Sequence, residues 1–182
     1  MEPQFDKETE LSFSCLLEHA DQAHPVYLVG GIVRDILLNQ PIHDIDLSYC
    51  GNVRMYAKKV ADSLGASFFM LNEEFQTARI IYQSDSNRKR WIDIVATREN
   101  RIEKDLYLRD FTVNSIAIDL SDRNHIIDPF SGAIDLQKKY LKITSPTSIE
   151  DDPIRILRAI RLAVQFGWKI SPETIRSIRE NS

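Results

Sequence analysis

Cysteine is scarce in this chain, and the positions of its two cysteines indicate no metal or redox site. Cys15 and Cys50 lack the short paired spacing of zinc ligands or redox-active cysteines. We therefore expect two reduced thiols in a cytoplasmic protein. Internal repeats, low-complexity tracts and linkers are also missing. The 182 residues are therefore expected to form one domain, or one domain and the start of another.

Long hydrophobic runs are missing as well. No apolar stretch approaches the ~20 residues that a bilayer-spanning helix needs, so we expect no membrane partner. The N-terminal stretch MEPQFDKETELSFSCLLEHADQ mixes acidic and polar residues with apolar ones. It therefore lacks the basic start and unbroken apolar segment of a signal peptide.

The charge of the chain is small in total but unevenly distributed. The formal net charge is −4, while residues 138–182 carry nine Lys and Arg against five Asp and Glu, or +4, which leaves −8 for residues 1–137. An acidic part followed by a basic part suits a metal-binding region joined to a region that faces RNA. The alternative is that the asymmetry arose by chance.

Hydrophobic periodicity predicts an α/β part followed by helices. Strands are expected at 26–31, 44–49, 66–71, 77–83 and 90–96, and a short helical turn leads into a strand within 112–120. Helices are expected at 8–20, 32–39, 53–64 and 134–140, a polar turn at 84–89, and a turn at His43. From about residue 149 the pattern is helical, interrupted at Gly167, with a second helix starting at Ser171-Pro172.

The pair Asp44 and Asp46 is a candidate metal site. On a strand, residues two apart point to the same face, so both carboxylates project together. Two neighbouring carboxylates repel each other unless a cation neutralises them, and hard oxygen ligands with room for phosphates favour Mg²⁺. The alternative for an isolated Asp-x-Asp is a solvated strand face.

A candidate phosphate site precedes this pair. Gly30 and Gly31 close one strand and open a helix, which leaves backbone N–H groups free to face an anion. Arg34 lies one helical turn further on and can reach the same phosphates. The alternatives are an ordinary strand-to-helix turn and an ion pair between Arg34 and Asp35. Together, the phosphate site and the metal-binding strand predict a nucleoside triphosphate site.

The segment YLVGGIVRDILLNQPIHDIDLS strongly resembles the signature of class II tRNA nucleotidyltransferases and bacterial poly(A) polymerases, within the polymerase-β-like superfamily. The resemblance continues in LRDFTVNSIAIDL, IIDPFSGAIDLQKKYLKI and IEDDPIRILRAIRLAVQFGWKI, and covers about Tyr27 to Thr174. Asn39 stands where many relatives have glycine, and Ser115 where many have alanine.

The resemblance implies an α+β fold and a two-part organisation. A polymerase-β-like nucleotidyltransferase head, a mixed sheet flanked by helices, is expected at residues 1–140. Residues 141–182 are expected to form the start of an all-helical neck. Family members continue into helical body and tail domains that hold tRNA, and these are absent from the 182 residues.

The resemblance also implies roles for individual residues. Gly31 and Arg34, with Gly30 beside them, match positions that hold the triphosphate, and Asp44 and Asp46 match carboxylates that bind two metal ions. A third family carboxylate corresponds to Asp93, for which a buried structural role is the alternative. The positions matching the nucleotide's phosphates and ribose are Arg109, Asp110 and Asn114. The positions matching the base-reading helix are Asp152 and Arg155, followed by Arg158 and Arg161.

The last of these segments supports an independent interpretation from spacing. Asp152, Arg155 and Arg158 lie three residues apart, so they share or closely flank one helical face. A carboxylate and a guanidinium can hydrogen-bond to the edge of cytosine or adenine. The packing side is expected to consist of Ile154, Leu157, Ile160, Leu162 and Val164. The alternative is a salt-bridged amphipathic helix without a role in recognition.

The implied reaction is template-independent addition of nucleotides from CTP or ATP to an RNA 3′ end, with Mg²⁺ as cofactor. tRNA CCA addition is the first interpretation. Poly(A) addition, a non-catalytic nucleotide- or RNA-binding module, and an enzyme of the superfamily acting on a small molecule or protein are the alternatives. Only ten residues, ENRIEKDLYL at 99–108, separate Arg98 from Arg109. Family members that add only two cytidines similarly have this loop shortened, so a CC-adding preference is expected.

Overall fold

A computed structural model of the chain describes residues 5–42, 44–83 and 89–181. Its helices are α1 (Lys7–Glu18), α2 (Gly31–Leu37), α3 (Val53–Leu64), α4 (Ile102–Tyr107), α5 (Gly132–Gln137), α6 (Ser148–Asp151), α7 (Ile154–Phe166) and α8 (Pro172–Glu180), with short 3₁₀ turns at Arg98–Asn100 and Thr112–Asn114. Its strands are β1 (Val26–Val29), β2 (Ile45–Tyr49), β3 (Ser67–Asn72), β4 (Thr77–Gln83), β5 (Lys89–Ala96), β6 (Ala117–Asp119), β7 (Ile126–Ile127), β8 (Tyr140–Leu141) and β9 (Lys169–Ile170). The predicted turn at His43, and residues 84–88 of the turn predicted at 84–89, lie outside the described residues.

Seven of the strands within the described residues form one mixed sheet. Its order is β3-β4-β5-β2-β1-β6-β7. Strands β2 and β5 pair in parallel, and the other neighbours pair antiparallel. This register places Asp46 of β2 directly beside Asp93 of β5. The mixed sheet with flanking helices confirms the α+β fold expected from the resemblance.

Helix α3 illustrates how local sequence signals set the helix boundaries. The Asn52 side chain accepts a hydrogen bond from the Met55 N–H at 2.9 Å, which satisfies one of the unpaired donors of the first turn. The helix ends at Gly65, whose φ of 59° is the left-handed conformation that glycine adopts without strain. The buried face of α3 carries Tyr56 and Val60 into the core beneath the sheet.

One hydrophobic cluster extends from the sheet into the region predicted as a neck. Leu141, Ile149 and Leu162 belong to the same cluster as the strand residues Leu47 and Ile94. The region contains helices α6, α7 and α8, and also the two-residue strands β8 and β9, which pair in parallel. Helices predominate there as expected, and the short strand pair is an addition that the periodicity did not indicate.

The structure refines one expectation for α7 and corrects another. Asp152 flanks the helix of Arg155 without belonging to it, because its backbone is extended (φ −153°, ψ 96°) before Pro153, and a proline disfavours helical geometry in the residue that precedes it. The predicted packing side mostly faces outward, with Leu157 and Val164 exposed to 67% and 79%. Of the predicted side only Leu162 is buried, and Ala159 is buried with it, because α7 has apolar residues on several faces and only tertiary packing selects one. The other outward-facing members of the predicted packing side are Ile154 and Ile160.

Both departures from the family pattern have a structural explanation. Asn39 has a φ of 53°, a left-handed conformation that glycine and asparagine tolerate better than other residues. The Ser115 hydroxyl is fully buried and lies 2.9 Å from the Phe111 carbonyl oxygen and 2.8 Å from the Thr144 hydroxyl. Its polar group is therefore satisfied where alanine would have none.

Candidate active site

Three charged side chains form a row across neighbouring strands of the sheet. Asp46, Asp93 and Arg79 occupy directly paired positions of β2, β5 and β4. Arg79 donates two hydrogen bonds to Asp93, from Nε to Oδ1 and from Nη2 to Oδ2, each 2.6 Å long. This fork holds the plane of the Asp93 carboxylate beside Asp46. Arg79 was not predicted as a site residue, since its contact with Asp93 depends on the hairpin register.

The carboxyl group of Asp46 has a strongly raised pKa. Burial raises the pKa of Asp46 to about 6, and the negative charges of Asp93 and Asp44 act in the same direction. The guanidinium groups of Arg109 and Arg34 partly oppose this rise. The predicted carboxylates Asp93 and Asp44 therefore make it less favourable for Asp46 to carry its negative charge. A cation in their midst would relieve that repulsion.

The Gly30-Gly31 turn brings backbone close to the Asp46 carboxylate. A Cβ atom at Gly30 would lie 3.7 Å from Asp46 Oδ2 and 2.9 Å from Nη1 of Arg109, and Gly30 also has a φ of 74°. A Cβ atom at Gly31 would lie 3.5 Å from Nη2 of Arg34. The backbone conformation at position 30 therefore favours glycine, and a larger residue there would also shift the end of the Arg109 side chain. The turn opens α2 as the sequence predicted.

Arg34 is held on three sides. Its Nε donates to Asp35 Oδ1 at 2.9 Å, and its Nη1 donates to Asn114 Oδ1 at 3.1 Å. The ring of Phe166, at the end of α7, lies 4.8 Å from the guanidinium carbon. The ion pair between Arg34 and Asp35, which the sequence indicated as an alternative to phosphate binding, is present. Arg34 nevertheless also lines the cleft described below.

Arg109 is fixed by the segment before it. Its Nη2 lies 2.9 Å from Asp105 Oδ2, one helical turn earlier, and the Nε also donates to that oxygen at 3.3 Å. Helix α4 is anchored by Ile102 and Leu106, which are buried against β1 and β6. Residues 103–106 form part of α4. Arg109 is thus attached to a short, packed segment.

Asp110 lies behind the cleft and organises its wall. Its Oδ1 accepts hydrogen bonds from Asn114 Nδ2 at 3.0 Å and from the Phe111 N–H at 2.8 Å. Arg158 Nε lies 2.9 Å from Asp110 Oδ2, yet the geometry is not that of a hydrogen bond, so the contact is ionic. The Asp110 side chain is only 4% exposed. Its contacts therefore position Asn114 and Arg158, and Asp110 does not line the cleft.

Eight of the thirteen predicted site residues, from the head and from α7, meet at one cleft of about 210 Å³. It is lined by Gly30, Gly31, Arg34, Asp46, Arg109, Asn114, Arg158, Arg161 and Leu162. Four guanidinium groups surround a single carboxylate of the acidic group, so the cleft suits an anion with several charges that brings a cation with it. Asp93 and Asp44 act on Asp46 electrostatically without lining this cleft.

The two predicted base-reading residues are not among those that line the cleft. Arg155 Nη1 donates to the Ser148 carbonyl oxygen at 3.1 Å, and its Nη2 donates to the Leu108 carbonyl oxygen at 2.7 Å. The Asp152 carboxylate lies 3.8 Å from Arg155 Nε. Arg155 thus connects α7 to the start of α6 and to the residue before Arg109. A base-reading role for this pair stays a prediction.

The carboxylates fit a divalent cation that is held jointly by protein and substrate. Within the described part of the chain, no three acidic, histidine or cysteine side chains gather closely enough to hold a metal ion by themselves. Mg²⁺ characteristically uses one or two carboxylates and completes its coordination with water and substrate phosphates. Asp44 and Asp46 suit this arrangement, while both oxygens of Asp93 are engaged by Arg79.

Comparison with known proteins identifies the family. The sequence profile described as the Poly A polymerase head domain matches residues 26–142, which is more than half of the chain. The chain belongs to this family. The members of the Poly A polymerase head domain family are nucleotidyltransferases. They include the class II tRNA nucleotidyltransferases that the motifs resemble. The match ends two residues beyond the predicted head boundary at 140.

Similar proteins are larger than this member of the Poly A polymerase head domain family. The CC-adding tRNA nucleotidyltransferase of Geobacter sulfurreducens is 33% identical over 156 residues, which are 86% of this chain and 35% of the relative. The structure of the Thermotoga maritima CCA-adding enzyme complexed with tRNA(CCA) matches with a TM-score of 0.85 at 36% identity, over 99% of this chain and 43% of that one. A CCA-adding enzyme complexed with CTP matches with a TM-score of 0.84 at 35% identity, over 96% of this chain and 42% of that one. The chain thus spans about a third of the curated relative and under half of the solved chains.

Proposed function

We propose that this chain is the catalytic part of a template-independent RNA nucleotidyltransferase that adds nucleotides to the 3′ end of tRNA. The observation that carries the proposal is the cleft in which Arg34, Arg109, Arg158 and Arg161 surround Asp46 and the Gly30-Gly31 turn. A nucleoside triphosphate with its metal has the matching charge pattern. Similarity to enzymes described as CC-adding and CCA-adding supports tRNA as the RNA and CTP and ATP as donors.

The residues of the chain would act by positioning and by stabilising charge. Arg34 and Arg109 would contact the triphosphate, and the glycine turn would allow it to approach the backbone. Asn114 would orient the ribose side of the nucleotide. Arg158 and Arg161 would neutralise further charge from α7. Because phosphoryl transfer needs little covalent chemistry from the protein, such positioning accounts for most of the catalysis.

Asp44 and Asp46 are the proposed ligands of Mg²⁺, with Asp93 as the third carboxylate of the group. When bound, the metal would lower the pKa of the RNA 3′-hydroxyl and stabilise the departing pyrophosphate. The raised pKa of Asp46 supports this assignment, because a carboxylate held near others is stabilised in its charged form by a cation. We also propose that residues 1–140 form the head and that the neck begins at residue 141. This division rests on the resemblance to class II tRNA nucleotidyltransferases.

None of the helices in the described residues reaches the length and hydrophobicity that crossing a bilayer requires. Both cysteines are buried and have no disulfide bond. We propose a cytoplasmic location, where thiols stay reduced.

An incorporation assay tests the proposed function directly. The chain is incubated with Mg²⁺, tRNA lacking its last three nucleotides, and each nucleoside triphosphate separately. We expect cytidine incorporation that requires Mg²⁺ and that Asp46→Ala abolishes while the fold is retained. Glu74→Gln, which removes an exposed negative charge, is the matched control and should incorporate normally.

Three outcomes would contradict the proposal or favour one of its alternatives. Near-normal incorporation by Asp46→Ala would refute the metal assignment. Extension of generic RNA with many adenosines would favour the poly(A) polymerase alternative. Tight binding of CTP without incorporation, even at saturating RNA, would favour a non-catalytic nucleotide-binding module.

The short segment between Arg98 and Arg109 supports a CC-adding preference. It consists of a 3₁₀ turn and α4, whose Ile102 and Leu106 are buried and whose Asp105 pairs with Arg109. A change of specificity from CTP to ATP in one pocket needs a mobile element, and this segment is packed. Joined to the tRNA-binding part of a relative, the chain should stop after two cytidines even in excess ATP. Efficient completion to CCA would show that the short segment does not limit the product.

A further inference from the structure

The end of α7 provides an aromatic support for a cleft residue that belongs to another part of the fold. The Phe166 ring lies 4.8 Å from the Arg34 guanidinium carbon, and it stacks on Trp168 with ring centroids 4.6 Å apart at 21°. Trp168 is buried in the main hydrophobic cluster, so the stacked pair has a fixed base. Neither aromatic residue lines the cleft.

Phe166 gives Arg34 a contact of a different kind from its two polar contacts. Asp35 holds one edge of the guanidinium, and Asn114 accepts a hydrogen bond from Nη1. Both contacts are hydrogen bonds donated by N–H groups of the guanidinium. The guanidinium carbon lies over the Phe166 ring, 4.8 Å from its centroid, so the ring opposes movement of the guanidinium towards α7 and attracts the cation. The Arg34 side chain is accordingly only 11% exposed.

We infer that Phe166 is a positioning residue for the triphosphate: it holds the Arg34 guanidinium in the orientation that grips the phosphates and thereby couples the end of α7 to the cleft. This inference rests on the proposed function of the cleft as a triphosphate site. Phe166 does not touch the substrate. Its effect passes through Arg34, so it should concern the phosphates and leave recognition of the base unchanged.

Binding measurements on the 182-residue chain test the inference. Isothermal titration in Mg²⁺ compares CTP with CMP, which lacks the outer phosphates, for the wild type, Phe166→Leu and Phe166→Tyr. Phe166→Leu should weaken CTP binding roughly five- to tenfold, as expected for loss of a partly desolvated cation–π contact. CMP binding should stay within about twofold, and Phe166→Tyr should restore CTP binding because the ring is retained. Ile160→Ala, at an exposed position of the same helix, is the control and should bind CTP normally.

A double-mutant cycle separates positioning from general stability. On an Arg34→Ala background, Phe166→Leu should have no further effect on CTP binding, because the group it positions is gone. Equal loss of CTP and CMP binding, or the same fold-loss with and without Arg34, would overturn the inference. Unchanged CTP binding in Phe166→Leu would overturn it as well. If the wild type bound CTP no better than CMP, the proposed triphosphate site itself would be refuted. That result differs from the outcomes above, which concern only the role of Phe166.

Discussion

Replacing Asp46 by asparagine should stabilise the protein at neutral pH. Burial and the charges of Asp93 and Asp44 raise the pKa of Asp46 from 3.8 to about 6 in the folded state. The folded state therefore holds a proton on this group at pH values where the unfolded chain has released it. Asparagine has nearly the same shape and removes the charge, so the repulsion is removed with little change in packing.

The sign and size follow from the two pKa values. Below pH 3.8 the carboxyl group is protonated in both states and has no effect, and above about pH 6 it is charged in both and its full penalty applies. A shift of about two units corresponds to about 3 kcal/mol, at 1.36 kcal/mol per unit. The advantage of Asp46→Asn should thus be below about 1 kcal/mol at pH 4 and grow to about 3 kcal/mol above pH 7.

Urea unfolding of the wild type and of Asp46→Asn at pH 4, 5, 6 and 7.5 measures this difference in free energy. In a separate thermal unfolding experiment at pH 7.5, the melting temperature of the variant should be roughly 6 to 10 °C higher, which is the shift that about 3 kcal/mol causes in a chain of this size. Added Mg²⁺ should stabilise the wild type more than the variant, because only the wild type keeps both proposed ligands. Glu74→Gln serves as the control for loss of an exposed charge and should stay within about 0.5 kcal/mol at every pH.

A difference in stability that does not change with pH would refute the electrostatic explanation. It would mean that asparagine acts through packing or hydrogen bonding. A variant less stable than the wild type at pH 7.5 would show that the Asp46 carboxylate makes favourable contacts that outweigh its repulsion from Asp93 and Asp44.

Two further predictions follow from the geometry of the cleft. Gly30→Ala should weaken CTP binding at least tenfold, because alanine is strained at φ 74°, ψ −133° and its Cβ would meet Nη1 of Arg109, as titration can show. Gly65→Ala, in the left-handed helical region with no atom within 4 Å, should lose only about 1 kcal/mol of stability and bind CTP normally. Arg155→Ala should lower the free energy of unfolding by about 1–3 kcal/mol, because two backbone carbonyl groups lose their donor, and should blur the choice between CTP and UTP in an incorporation assay. Unchanged nucleotide choice would restrict Arg155 to a structural role.

Short motifs with strict local geometry were readable from the sequence. The Gly30-Gly31 turn, the strand bearing Asp46 and helix α3 at 53–64 lie where the sequence pattern placed them. These features depend on backbone conformation within a few residues, which glycine, proline and capping side chains determine directly. The resemblance then brought distant motifs together, and the family match confirms it.

Contacts between distant segments were decided by the tertiary structure. The pairing of Arg79 with Asp93 depends on the register of a hairpin, and the contact of Phe166 with Arg34 depends on how α7 packs against α2. The outward position of Val164 has the same origin, because α7 has several apolar faces and the neighbouring elements cover only one.

The chain by itself therefore determined which groups could do chemistry, since carboxylates, guanidinium groups and glycine turns have their properties wherever they are placed. The tertiary structure alone decided which of them meet. It brought Arg158 and Arg161 to the cleft, left Asp152 and Arg155 outside its lining, and raised the pKa of Asp46. Burial and the distances between charges set these outcomes, and both depend on packing between segments far apart in sequence.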